Sequence, residues 1–309
     1  MDSANEIREF LMTRRARITP EQAGLPVFGY RQRRVNGLRR EEVALLAGMS
    51  TEYYIRLERG NAKGVSDSVL EGISQALKLD DAERAHLYDL VRAAKEGAQP
   101  PRRRSAPRAQ QVRPAVQRMI DAMTALPTIV QNERLDLVAS NQLGRAFYSE
   151  MYIQLQRPVN FGRFIFLDPR SRVFYRDWDD AARQTVALLR SAAARAPYDR
   201  DLSDLVAELV TRSEDFRTLW AAHDVRLHHS GSKKVHHPVV GDLDLTFEAL
   251  EVGTDKGLSV IAYTTEPGSP SHDSLQLLAH WAATSNQTTQ LQTPESPTAT
   301  SIVDNTERS

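Results

Sequence analysis

REEVALLAGMSTEYYIRLERG, residues 40–60, decides how the first third of this chain is read. Two short helical patterns flank Gly48, each with apolar residues on one face. Arg40, Ala44 and Gly48 are spaced by four. Ala44 is small enough for two helices to cross closely above it, and Gly48 can take the positive φ of a sharp turn. Val43, Ala47, Met49, Tyr54 and Leu57 then face inward, with Ser50 placed to cap the second helix. Thr51, Glu52, Tyr53 and Arg56 are left facing out. A helix held this way offers its N-terminal end and polar face to a DNA major groove. An ordinary helical hairpin has the same periodicity, and there Glu52 and Arg56 form a surface pair worth about 0.3–0.5 kcal/mol. The arginines at and before the segment, Arg31, Arg33, Arg34, Arg39 and Arg40, favour DNA, because they can neutralise phosphates.

Working outward, residues 3–17 read as an amphipathic helix with Ile7, Phe10 and Leu11 on one side. A loop rich in proline and glycine follows. VSDSVLEGISQALKL begins with Ser66 as N-cap, and Asp80 caps DAERAHLYDLVRAAK. This makes a five-helix domain over residues 1–95. Residues 96–113, dominated by prolines, small residues and arginines, read as an exposed basic linker. The pattern then changes. PTIVQNERLDLVASN gives two strands around the turn QNER, and a helix follows in QLGRAFYSEMY. Helices are expected over residues 179–196 and 202–212. KKVHHPVVG, LDLTFEALEV and GLSVIAYTTEP are β-rich runs joined by short turns, which suits antiparallel pairing. Residues 114–283 therefore form an α+β domain with about five strands. Residues 284–309 are polar and low in complexity, and are expected to be a disordered tail.

The chain has 309 residues, 41% of them apolar, enough for two separate cores. It has no cysteine, which excludes disulfides and thiolate metal sites and fits a cytoplasmic location. The N-terminus carries charges throughout and has no signal-peptide core, and no run of 18 apolar residues offers a membrane span. The zero net charge hides an asymmetry. Residues 1–113 hold 21 Lys and Arg against 15 Asp and Glu, a balance of +6, which leaves the remainder at −6. Only the first part is suited to meet a polyanion.

Catalytic signatures are absent. His228 and His229 are adjacent, as are His236 and His237, and neighbours on a strand point to opposite faces, so neither pair chelates one metal. His223 beside Asp224 has the look of a surface pair. No GxSxG, HExxH or phosphate-cradling glycine loop occurs. The main enzymatic rival is a repressor fused to a self-cleaving Ser/Lys peptidase. The second domain offers it only Lys233, Lys234 and Lys256, all placed by the sequence in or beside turns. No catalytic residue, resident metal or cofactor is expected.

GLRREEVALLAG and YYIRLERG resemble the Cro/repressor-type helix-turn-helix of the XRE family, in the version found in MmyB-like regulators. The resemblance implies contacts to a double-stranded DNA operator from Arg40, Thr51, Glu52, Tyr53 and Arg56. Arg56 is placed to read guanine, while Arg31, Arg33 and Arg34, with Arg39, grip phosphates. TIVQNERLDLVASNQLGRAFY, RFIFLDPRSRVFYRDWDDAA, SDLVAELVTRSEDFRTLWAAHDVR and HHPVVGDLDLTFEALEV resemble the ligand-binding domain of the same regulators. That implies a PAS-like fold, an antiparallel sheet with helices on one side, in which Asn141 caps the first helix. It also implies a small apolar ligand such as a fatty acid. The dense aromatics place Phe164, Phe166, Tyr175, Trp178 and Trp220 around it, with Arg217 and His223 at its mouth. Aromatic stripes are more often plain core, and a domain serving only dimerisation or protein contact is the alternative. A homodimer on two half-sites is expected in either case.

Overall fold

The computed structural model describes residues 3–25, 37–96, 110–153, 158–222, 230–255 and 257–291. The first domain is built from α1 (Ser3–Arg17), α2 (Arg40–Leu46), α3 (Thr51–Glu58), α4 (Asp67–Ala76) and α5 (Asp81–Glu96). Its core gathers Ile7, Phe10 and Leu11 of α1 with Val43, Ala44, Tyr54, Leu57, Leu70 and Ile73. The caps form as the sequence requires. Ser50 Oγ accepts from Tyr53 N at 3.1 Å, and Ser66 Oγ from Val69 N at 3.4 Å. Asp80 and Glu83 cap α5 reciprocally, each side chain taking the other's backbone N–H. Gly48 turns the chain between α2 and α3 at a φ of +67°. A Cβ on Gly72 would lie 2.8 Å from the carbonyl oxygen of Ala47, so this glycine lets α4 close on the end of α2.

The second domain begins with α6 (Pro114–Asp121) and the hairpin β1 (Thr128–Asn132) and β2 (Leu137–Ser140). Six helices follow: α7 (Gln142–Phe147), α8 (Ser149–Tyr152), α9 (Phe161–Leu167), α10 (Arg170–Phe174), α11 (Trp178–Arg195) and α12 (Arg200–Arg212). Then come α13 (Glu214–Ala221), β3 (Ser230–His237), β4 (Gly241–Glu251), β5 (Leu258–Thr264) and α14 (Pro270–Leu291). The strands make one antiparallel sheet in the order β2-β1-β5-β4-β3. Alternation along the strands sorts residues between two faces. Ile129, Ile261, Tyr263 and Phe247 join the large core under α7, α9, α11, α12 and α14. Val130, Leu258 and Val260 point the other way and pack on Val116 and Ile120 of α6. Helices therefore cover one face and, with α6, one end of the other.

Asn141 caps α7 as expected and does more. Its Oδ1 accepts from Gly144 N at 2.7 Å and Thr128 N at 3.0 Å, while Nδ2 donates to carbonyls of Ile120, Met123 and Leu126. One amide thus ties α6, β1 and α7 together.

Three sequence expectations need correction. Gln131 and Asn132 belong to β1 rather than to its turn; Leu135 makes the turn at a φ of 63°, steadied by the side chain of Asn132. β3 starts at Ser230, three residues before the β-rich run read from the sequence, so Lys233 lies within the strand and not at its start beside a turn, because pairing with β4 overrides the weak strand propensity of SGSKK. α14 was not foreseen, and it crosses residue 284, where a disordered tail was expected. Leu275, Leu278 and Ala282 anchor it in the core, and no proline interrupts the sequence before Pro294. Residues 292–309 lie outside the described residues.

The two domains meet through α11. Its Ala194 packs in the first domain's core. Arg190, 1% exposed, donates to Glu6 of α1 at 3.1 Å and to the carbonyl oxygen of Trp220, with its guanidinium over the Trp220 ring.

Candidate functional site

The outer face of α3 exposes Glu52 and Arg56, with Thr51 and Tyr53 half-buried beside them. Tyr53 packs against the core's edge, and the Arg56 guanidinium lies 4.8 Å from its ring centroid. That stacking pre-orients Arg56 and leaves its fork accessible. Ile55, Arg59 and Asn61 line a shallow groove with Glu52 and Arg56. Arg59 and Asn61 were missed in the sequence because they lie past the helix end, outside its periodic face.

The arginines before α3 divide. Arg39 is exposed at the start of α2, its backbone N–H donating to Glu42 and its guanidinium 3.5 Å from Glu41. Arg40 is half-exposed and pairs with Glu58. Arg31, Arg33 and Arg34 lie outside the described residues. Glu58, only 2% exposed, also accepts from Arg15 Nε at 2.8 Å, and the Tyr54 hydroxyl stands 3.5 Å away. Arg40 therefore has a structural task, holding the end of α3 to α2, alongside whatever it offers a phosphate.

In the second domain a cavity of about 40 Å³ lies between the sheet and α11. Its walls come from β1 (Gln131), α9 (Phe161, Ile165), α11 (Ala181, Gln184, Thr185, Leu188), β3 (Lys233), β4 (Phe247) and β5 (Ile261, Tyr263). Lys233 shares the inner face of β3 with Val235 and His237. Its Nζ stands 5.5 Å from the ring of Tyr175, 5.7 Å from Phe247 and 5.6 Å from Tyr263, and 3.5 Å from the Tyr148 hydroxyl. Tyr148 and Tyr263 share a hydrogen bond of 2.6 Å. Two local features build this cage. Gly231, two residues before Lys233, leaves room for the Phe247 ring, which a Cβ there would approach to 3.0 Å. The segment after α10 covers the β3 edge, Arg176 N donating to Lys234 O at 3.0 Å, which sets Tyr175 beside Lys233. Burial lowers Lys233 to about 8, opposed only by the charge of Asp180, and raises Tyr148, Tyr175 and Tyr263 above the ordinary tyrosine value.

Of the aromatic set expected around a ligand, Tyr175 lines this cavity. Phe164 stacks behind it, edge-on to Phe174 at 5.9 Å. Phe166, Trp178 and Trp220 belong to a second aromatic group centred on Phe216, with centroids 5.0 Å from Phe166 and 5.4 Å from Trp220. Arg217 is on the surface near Glu214, and His223 lies outside the described residues. The cavity's polar lining was missed for a physical reason: the sequence reading followed aromatic density, and Gln131 and Lys233 read as turn residues. His236 is exposed 2.6 Å from Asp242, while His237 is buried against Ala146 O and stacked on Phe147. The two point to opposite faces of the strand, as expected. No serine lines the cavity beside Lys233, so the dyad of a self-cleaving peptidase is not assembled there among the described residues.

No described helix is long and apolar enough to cross a membrane. No curated protein matches the chain. Residues 13–87 match the model of a helix-turn-helix domain, and residues 112–278 match that of the MmyB-like transcription regulator ligand binding domain. The second match alone covers more than half of the sequence and spans the sheet, the cavity and α11. With an exposed, capped α3 in front and this domain behind, the chain belongs to the MmyB-like transcription regulators, DNA-binding proteins that carry a ligand-binding domain.

Proposed function

We propose that the protein is a cytoplasmic homodimer that binds an operator through α3 and responds to a small, largely apolar ligand of the fatty-acid type held between the sheet and α11. It catalyses no reaction. The carrying observation is the outer face of α3: Glu52 and Arg56 stand exposed on a helix whose N-terminus Ser50 caps and whose inner face is locked by Tyr54 and Leu57. Arg56 suits guanine O6 and N7, and Arg39 a phosphate. One short helix makes few base contacts, so a symmetric pair on two half-sites supports specific binding. Leu277 and Trp281, exposed four residues apart on α14, offer an apolar surface for such pairing.

The test is a titration on a duplex selected from random sequence and on its scrambled version, at two salt concentrations. Arg56→Ala is expected to cost about 1–3 kcal/mol on the selected duplex and much less on the scrambled one. Arg39→Ala is expected to weaken both alike and to flatten the salt slope by about one. Equal losses on both duplexes for Arg56→Ala would remove its base-reading role. Sedimentation of the full chain checks the dimer, and mass spectrometry of the denatured protein checks for a co-purified lipid.

A further inference from the structure

The cavity at Lys233 has the wrong composition for a purely apolar ligand. The half-buried Lys233 turns its ammonium inward among aromatic rings, and among the described residues no carboxylate comes within ion-pair distance of it. Three ring faces and one hydroxyl surround it. Ring faces attract a cation but do not neutralise it. A second group has an unmet need. The Tyr175 hydroxyl is buried at the cavity wall; the Tyr148 hydroxyl, already bonded to Tyr263, is its one polar neighbour, and the two are too poorly aligned to count as a full hydrogen bond among the described residues. Burying a hydroxyl with only a strained partner, or a charge without a counter-charge, is costly. Both deficits face one space, and one oxyanion would relieve both.

We propose that this cavity is an anion site that takes the carboxylate of the ligand, with Lys233 as its counter-ion and Tyr175 as a hydrogen-bond donor. The proposal rests on the reading that this domain binds a ligand, and it reverses the polarity first expected: the charged head enters the core, and the apolar chain trails towards Phe161 and Leu188. Size and charge select the head. About 40 Å³ admits a group of a few atoms, and Lys233 is the one cation among the lining residues. A monoanion balances it, while a phosphate dianion would leave excess charge buried. The chain needs more room, since ligand pockets commonly measure ~300–1,000 Å³. Binding therefore enlarges the cavity against its α11 wall.

The experiment uses the full chain with decanoate, decanol and decylamine as matched probes, followed by calorimetry and thermal shift. Decanoate should bind best. Lys233→Met should weaken decanoate about thirtyfold or more, as expected when one partner of a buried charge pair is removed, and leave decanol unchanged. Wild-type affinity for decanoate should also fall about tenfold for each pH unit once Lys233 begins to lose its proton near pH 8. Tyr148, Tyr175 and Tyr263, all raised by burial, titrate above that window, so decanol binding should be flat across it. Equal affinity for decanoate and decanol, or a decanoate affinity indifferent to both the substitution and pH, would overturn the anion site while leaving an apolar pocket standing. Binding of none of the three probes would overturn the ligand reading itself. If Lys233→Met abolishes decanol binding as well, the wild-type pH profile alone decides: a fall for decanoate supports the site, and a flat profile overturns it.

Discussion

Glu58 in the first domain is buried and Lys233 in the second is half-buried with its ammonium turned inward, and their surroundings differ in kind. Glu58 is met by Arg15 and Arg40, with the Tyr54 hydroxyl nearby. Lys233 is met by three rings and a hydroxyl, and among the described residues no carboxylate comes within ion-pair distance. A buried charge with its partners in place fixes geometry; here it pins α3 to α1 and α2. A buried charge without them leaves the folded state with an interaction still to be made. The first domain is thus complete in itself, and its function lies on its surface. The second is incomplete at its centre, and its function lies there.

The contrast can be broken most directly at Glu58. Replacing Glu58 with Leu strands Arg15 and Arg40 beside an apolar side chain, and about 3–5 kcal/mol of stability should be lost in urea denaturation. A loss below about 1 kcal/mol would mean that both arginines reach water instead, and that Glu58 is not the clamp described.

Lys233→Met should change stability in the opposite direction, by a smaller amount. Methionine fills similar space without a desolvation penalty, so the ligand-free protein should gain about 1–3 kcal/mol at neutral pH. The sign is checked by pH. Burial lowers Lys233 to about 8 in the folded chain, so between there and the ordinary lysine value the unfolded chain holds more protons. Wild-type stability should therefore rise with pH as it passes about 8, and the methionine variant should lack that rise.

The smallest effect is expected at the junction of the domains. Burial raises the Glu6 carboxyl above its ordinary value, and the pull of Arg190 only partly offsets this. Protonation of Glu6 thus favours the folded, docked form: its contribution is greatest below the ordinary glutamate value and fades as pH climbs through the raised one. Glu6→Gln keeps an acceptor for Arg190 and should shift the melting point by the equivalent of less than about 1 kcal/mol, without separating the domains in small-angle scattering. A separated pair would show that the charge itself holds the junction.

The helix-turn-helix could be read from sequence because its signals are local. Gly48, Ser50 and the spacing of Val43, Ala44, Tyr54 and Leu57 each act within a few residues. The presence of the strands and their antiparallel type were readable for the same reason, through alternation in LDLTFEALEV and GLSVIAYTT. The cavity was not. Its walls come from six strands and helices separated by up to about 130 residues, and its deciding residue sits in SGSKKVHH, where glycine, serine and lysine speak against a strand. Only pairing with β4 makes that segment extended and turns Lys233 inward. Aromatic density pointed to a core and did not say which rings would bound an empty space. Trp178 and Trp220 proved to stabilise the helices around Phe216, while less conspicuous Gln131, Gln184 and Thr185 line the cavity.

α11 has one further property. Thr185 forms cavity wall, and nine residues later Ala194 is part of the first domain's core, with Arg190 gripping Glu6 between them. At 1.5 Å per residue those two positions are roughly 14 Å apart along a single helix. Packed on both sides at near-crystalline density, such a rod does not absorb a push by bending at one end. One helix thus lines the cavity with one stretch and carries the contact to α1 and the first domain's core with the next, so a change in its pose would be felt at both.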